Sequence, residues 1–353
     1  MDGRGSWSDL TGDNDSVVMR RTTYADDTIA GVCFLITAVW GIVGYLLVLP
    51  AIATSKKLRH QCYGIIFSMG LSDFAGLVAW LVVGLDTVMH GTLYHPLVKH
   101  SLCILVVSWG SLTVHVGVLG INRYLAICRT EKHDWLFTKR KLCYIFAGCW
   151  IYAIFLHAFP TFLPPNMDYT LDGYAAYWDS QVISDYYFVE DISWCTSVFA
   201  LNMVCYAAII LRYRQVRQQL SIMPSSNAAA RMRQFRLALQ CLIRCCTFYF
   251  YDVLYYVIGY MTENIWLTFL CSTYLWAFNN ALSPWLHLAF DRQLRTVISK
   301  WFFKQEQTKG TQGPVSAVRS TINRNRVGAV EISRTTGVFA PGKSVSTITV
   351  SHR

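Results

Sequence analysis

The chain has 353 residues and a formal charge of +10; 54% of it is apolar and only 15% charged, against roughly 25% charged in an average soluble domain. Its charges collect between long apolar runs, which excludes an ordinary soluble surface. Nucleic-acid binding is set aside as well, because the surplus cations sit in the segments between those runs and in a basic tail.

Residues 1–28 are polar, carry Asn14-Asp15-Ser16 as a glycosylation sequon, and lack the charged, apolar, small-residue order of a cleavable signal peptide. The first apolar run therefore does the targeting. About twenty apolar residues cross a bilayer as a helix, because every backbone amide must be bonded internally where water is absent. Seven stretches meet that length: Ile29 to Ala53, Cys62 to Asp86, Ser101 to Cys128, Leu142 to Leu163, Ile192 to Tyr213, Leu237 to Tyr260 and Trp266 to Phe290. The expected fold is an all-α integral membrane protein, a seven-helix bundle over residues 29–290.

Lys56, Lys57 and Arg59 in the first loop, Arg129, Lys132, Lys139, Arg140 and Lys141 in the third, and Arg212, Arg214, Arg217, Arg231, Arg233 and Arg236 in the fifth mark the cytosolic side. The alternate loops carry Lys99 and the acids Asp168, Asp172, Asp179, Asp185 and Glu190. The N-terminus is expected outside and the C-terminus inside. After the seventh span, residues 291–304 bring Leu294, Val297, Ile298, Trp301 and Phe302 together at helical spacing among Arg292, Arg295, Lys300 and Lys304, a short amphipathic helix on the inner leaflet. Residues 305–353 are too poor in large apolar side chains to build a core and read as a disordered cytoplasmic tail. Within it, Arg319-Ser320-Thr321 and Arg334-Thr335-Thr336 offer kinase sites.

The third span ends in Asn122-Arg123-Tyr124-Leu125-Ala126-Ile127. A lone arginine at a span's end is usually a snorkelling interface residue, but three further positions accompany this one. Asp73 in Leu71-Ser72-Asp73-Phe74 sets a carboxylate in mid-membrane, Trp150 precedes Pro160 by ten residues, and Asn279-Asn280-Ala281-Leu282-Ser283-Pro284-Trp285-Leu286-His287 closes the seventh span. In those helices and in that order they resemble the Asp-Arg-Tyr, Leu-Ala-x-x-Asp, Trp and Pro, and Asn-Pro-x-x-Tyr motifs of rhodopsin-like G-protein-coupled receptors. The departures are Gly44-Tyr45 for Gly-Asn, which puts the polar network and any sodium site around Asp73 in doubt, and Asn122 for the acid beside the arginine. Gln234 stands where helix six often supplies another acid, and Cys246-Thr247-Phe248-Tyr249-Phe250-Tyr251-Asp252 replaces Cys-Trp-x-Pro. A resting state held less tightly is the expectation. Cys62-Tyr63-Gly64-Ile65-Ile66, Asn122-Arg123-Tyr124, Asp191-Ile192-Ser193-Trp194, Gln240 and Trp276 resemble the nematode serpentine chemoreceptors of class X, although that class's acidic start of helix six and second-loop cysteine are missing.

The resemblance implies a chemosensory receptor of the plasma membrane. A small molecule, environmental or internal, would bind an outer cavity and shift a two-state bundle, opening its inner face to a heterotrimeric G protein. Asn122, Arg123, Tyr124, Asp73, Asn279 and Pro284 would carry coupling, and Leu105, Trp109, Tyr251, Asp252, Tyr255 and Trp276 are available to line the cavity. The plainer reading of the aromatic members is packing between helices or the aromatic belt. Asp252 is harder to dismiss, since an unpaired intramembrane carboxylate is expensive. Tyr251 and Tyr255 are available as donors to it, and Arg244, about 12 Å along the same helix, is too far for a direct pair. Arrestin and kinases would act on the tail, and no cofactor is implied. Twelve cysteines lie mostly inside apolar spans, where they serve as small hydrophobes. The receptor disulfide implied by the resemblance has no cysteine in the second outer loop to use, so Cys103 with Cys195 is the candidate pair, and Cys33 with Cys271 a second.

Amine receptors carry an aspartate on helix three where Leu105 stands, and opsins a lysine in helix seven, where Glu263 to Asp291 has none. An enzyme is not expected: there is no His-Glu-x-x-His, phosphate loop or Cys-x-x-Cys, and His95, His100, His115 and His157 are scattered. A small transporter or channel using Asp73, Arg244 and Asp252 is the rival from another class, disfavoured by the odd number of spans and the lack of a repeat. A non-signalling membrane scaffold is the third reading. The expected topology is checked with epitope tags at both ends: an N-terminal tag labels on intact cells and a C-terminal tag only after permeabilisation, and surface labelling of the C-terminal tag would overturn it.

Overall fold

The structure, a computed structural model, describes residues 22–58, 60–158, 167–171, 174–178, 181–220, 225–262 and 264–303. Helix one (Tyr24–Thr54), helix two (Gln61–Val88), helix three (His95–Cys128), helix five (Gln181–Leu220) and helix six (Ser225–Met261) are continuous. Each holds a stretch long and apolar enough to cross a membrane. The other two passes are interrupted. Helix four (Lys139–Ala153) runs on as a π-helix over Ile154–Ala158, and helix seven is built from Ile265–Thr268, a π-helix over Phe269–Tyr274, and Leu275–Phe290. A short helix, Thr130–Leu136, links helices three and four, and Arg292–Phe303 follows helix seven.

Helix one begins five residues earlier than its apolar run because Thr23 and Asp26 form a capping box. The Thr23 amide donates to Asp26 Oδ2 at 2.8 Å and the Asp26 amide to Thr23 Oγ1 at 3.2 Å. Its outward stripe, Ile29, Val32, Ile36, Val39, Val43 and Leu46, steps by three and four residues and is exposed, as a lipid-facing surface requires. The inward stripe is smaller: a Cβ on Gly41 would lie 2.7 Å from Ala281 Cα, so glycine is what lets helices one and seven approach. Helices five and six start well before Ile192 and Leu237, since helical hydrogen bonding continues past the apolar window that length arguments detect.

The loop between helices four and five holds an antiparallel hairpin, Met167–Thr170 with Ala175–Trp178, pairing Met167 with Trp178 and Thr170 with Ala175. The expected long acidic loop thus contains a folded cover. Tyr174 is fully buried, packs against Phe269 and Trp266, and donates to Asp27 Oδ1 at 3.0 Å. Asp27, itself buried, also meets His90 Nδ1 at 3.1 Å through Oδ2, so one carboxylate ties the start of helix one, the end of helix two and the hairpin together. Burial, followed by the Asp27 bond and charge, pushes the Tyr174 phenol well above its ordinary range.

On the opposite face Asp291 caps the last helix, accepting from the amides of Gln293 at 2.8 Å and Leu294 at 3.2 Å while its other oxygen accepts from Tyr63 at 2.6 Å. Leu294 and Ile298 turn inward and Trp301 and Phe302 outward, the amphipathic helix expected there. Asn14 and the tail 305–353 lie outside the described residues. Replacing Asp27 with alanine leaves the Tyr174 hydroxyl and His90 without this acceptor, an expected loss of about 1–3 kcal/mol. A thermal midpoint in detergent equal to that of the unaltered chain would contradict the knot.

Candidate functional site

Asp73, on helix two, is buried at 1% exposure. Tyr45 of helix one donates to its Oδ2 at 2.5 Å, and Arg244 Nη2 of helix six sits 2.9 Å from both carboxylate oxygens. Arg244 Nη1 also donates to the Asn279 carbonyl at 2.8 Å on helix seven. The hydroxyl of Tyr45 thus takes over at the position where Gly-Asn would be, and the network around Asp73 is rebuilt. The cation facing Asp73 is the protein's own guanidinium. The sequence reading weighed Arg244 only against Asp252, its neighbour along the helix, and missed this partner 171 residues away.

Arg123 is buried at the far end of helix three. Its Nη2 donates to Asn122 Oδ1 at 2.6 Å and its Nη1 to Gln234 Oε1 of helix six at 3.0 Å. Asn122 Nδ2 in turn donates to His133 Nε2 at 3.2 Å. The contact between helices three and six that an acid would make is therefore kept by one neutral amide, Gln234, while the Asn122 amide holds the guanidinium from within helix three. Between these two clusters, Gln240 Nε2 of helix six donates to His287 Nδ1 of helix seven, and Pro284 lies buried one turn before His287. Gln234, Gln240 and Arg244 make helix six the common partner of helices three, seven and two. Trp150 donates to Ser68 Oγ at 3.2 Å, and Ser68 meets His115 Nε2 at 2.8 Å, joining helices two, three and four; Pro160 lies outside the described residues.

Toward the face where helix one begins, a cavity of about 40 Å³ is lined by Trp80, Leu102, Leu105, Tyr169, Tyr255, Ser272, Thr273 and Trp276. It gathers three of the six expected lining residues, Leu105, Tyr255 and Trp276. Small-molecule sites measure roughly 300–1,000 Å³, so this cavity as it stands is too small for an organic ligand. Trp109 stacks on Phe248 with ring centres 4.4 Å apart and meets Tyr251 and Trp276 edge-on, forming a floor below the cavity. Tyr251 donates to the Ser272 carbonyl at 2.7 Å, so it is not spent on Asp252. Asp252 itself points to helix five, where oxygens of Asp191 and Asp252 and the Cys195 sulfur all lie within 4.8 Å of one another. Asp191 and Tyr256, absent from the expected set, complete this group: Trp109 Nε1 donates to Asp191 Oδ1 at 3.0 Å and Tyr256 donates to Oδ2.

All twelve cysteines are free thiols in the structure. The expected Cys103–Cys195 and Cys33–Cys271 bridges are not formed, and Cys195 Sγ contacts Asp191 Oδ1 at 3.5 Å, on its own helix, instead.

Seven passes, a buried arginine at the end of helix three, an intramembrane acid in helix two and an amphipathic helix after the seventh pass define a multi-pass membrane receptor of the seven-helix type. Residues 14–311 match the family model described as "Serpentine type 7TM GPCR chemoreceptor Srt". The chain belongs to that family. The match names Srt and does not confirm the finer resemblance to class X, whose helix-six acid and loop cysteine are missing from the sequence. Among curated relatives, the melatonin receptor type 1A of Gallus gallus is 25% identical over 223 residues, covering 62% of this chain and 61% of the relative. That of Phodopus sungorus is 24% identical over 222 residues, with 61% of each chain covered; the chain thus spans about three fifths of their length. The crystal structure of squid rhodopsin superposes with a TM-score of 0.68 at 14% identity, over 80% of this chain and 87% of that one, a likeness of fold.

Taking away one partner of a buried ion pair costs about 3–5 kcal/mol. Asp73→Asn and Arg244→Gln are each expected to lower thermal stability in detergent, and the double variant to recover part of the loss. Single variants that melt like the unaltered chain would contradict the pair.

Proposed function

We propose that this receptor sits in the plasma membrane with its N-terminus outside and the 305–353 tail inside, binds a small molecule in the outer half of the bundle, and activates a heterotrimeric G protein at the inner face. The observation that carries this reading is the set of polar links through helix six: Arg244 to Asp73, Gln240 to His287 and Gln234 to Arg123. Moving helix six away from helix three breaks the last of these and frees Arg123 and its neighbour Tyr124 for a partner. A ligand drives that change only if it binds the open state better. The closed cavity at Leu105, Tyr255 and Trp276 supports this, because admitting an organic molecule must displace walls supplied by helices six and seven. The relatives' name, melatonin receptor, supports reading the chain as a receptor for a small molecule.

Trp109 and Tyr251 form the floor through which displacement of Trp276 reaches helix six. Asp252 anchors the polar group between helices five and six that the ligand reorganises. Arrestin and kinases act on the tail, and Asn14 carries the glycan.

The test is Arg123→Ala. In cells expressing the chain and screened for an active compound, this variant is expected to reach the surface and bind the compound while its second-messenger response falls at least about tenfold. A surface-expressed variant that signals with the original amplitude would overturn the mechanism at its central residue.

A further inference from the structure

Asp191 and Cys195 lie one turn apart on helix five, and spacing by four places them on one face. Asp252 meets them from helix six. Asp252 is 3% exposed, and among the described residues no hydrogen bond or salt bridge from outside the trio reaches its carboxylate; its polar company is the Cys195 thiol and the charge of Asp191. A buried acid facing a second acid without a cation lacks the partner that burial demands. Asp191, in contrast, is aimed. Trp109 and Tyr256 hold its two oxygens, the kind of outer support that fixes a ligating carboxylate.

We infer that Asp191, Cys195 and Asp252 form a three-donor site for a divalent transition-metal ion of the zinc type, bridging helices five and six. One sulfur and two oxygens are too few and too soft for calcium or magnesium, which take six or more oxygens, counting water, and suit the borderline acid Zn²⁺. Zn–S bonds of about 2.3 Å and Zn–O bonds of about 2.0–2.2 Å set tetrahedral donors roughly 3.3–3.6 Å apart. The trio, within 4.8 Å, therefore closes by about 1 Å through side-chain rotation. Binding displaces to solvent the Cys195 thiol proton and the carboxyl proton held between the two acids, and the thiolate with two carboxylates then faces the 2+ ion. A fourth coordination position stays open for water or a donor atom of another molecule. An organic ammonium is the poorer occupant, because the nearby cavity is small and walled by Tyr255 and Trp276, not by the trio. The metal site stands on these side chains alone and does not depend on the signalling reading.

The experiment uses the full chain, without a histidine tag, purified into lipid nanodiscs. Calorimetric titration with Zn²⁺ is expected to give one saturable site, weakened at least about tenfold in Asp252→Asn and in Cys195→Ala, a scale that even the outer partners of metal ligands reach. Titration with Co²⁺ is expected to give a thiolate charge-transfer band that Cys195→Ala abolishes and Cys246→Ala, an exposed thiol outside the trio, leaves in place. Helical circular dichroism identifies variants that have folded. Should Asp252→Asn fail to fold, Cys195→Ala, which removes a small apolar-sized group, decides alone. Absence of a saturable site in the unaltered chain, or equal affinity in the folded variants, would overturn the site.

Discussion

Arg244 and Asp73 could not stay buried without each other. A guanidinium and a carboxylate placed singly in the middle of a bilayer each cost several kcal/mol, yet here they meet at 2.9 Å with Tyr45 and the Asn279 carbonyl taking up further hydrogen-bonding capacity. That requirement fixes the relative rotation of helices one, two, six and seven, because only one rotation of each brings its member of the cluster inward. The residues that follow on helix six are thereby aimed as well. Gln240 comes to His287 and Gln234 to Arg123, and Asp252, two turns beyond Arg244, is turned to helix five.

The same helix therefore serves two ends of the molecule with different chemistry. Its lower half is bound to three neighbours by side-chain hydrogen bonds in a low-dielectric interior, where each is stronger than in water. Its upper half joins aromatic contacts, Trp109 on Phe248 and Tyr251, to hydrogen bonds given by two of its tyrosines, Tyr251 to the Ser272 carbonyl and Tyr256 to Asp191. Links from one element to its neighbours at both ends are the physical condition for a change above to be felt below.

The seven passes were legible because bilayer thickness and backbone hydrogen bonding leave so few solutions, and the amphipathic Leu294 and Ile298 pattern was legible for a similar reason. Arg123, Asp73 and Pro284 were visible as motif positions. Their partners were not. Arg244 pairs across 171 residues, and a period of 3.6 predicts which residues share a face but not which helix that face meets. Asp252 was recognised as costly to bury, while its direction toward Cys195, and the role of Asp191, depended on packing. The hairpin around Tyr174 escaped notice because a loop rich in acids carries no alternation that marks a strand. The π-helical segments in helices four and seven leave no compositional trace either.

The amides at the end of helix three have a consequence for proton balance. A carboxylate leaving a buried guanidinium changes its affinity for protons, so breaking such a contact is tied to acidity. The Gln234 side chain is an amide and carries no ionisable group. The parting of helices three and six at this contact thus uncovers no carboxylate, and its energy is set by the hydrogen bond and packing between Arg123 and Gln234.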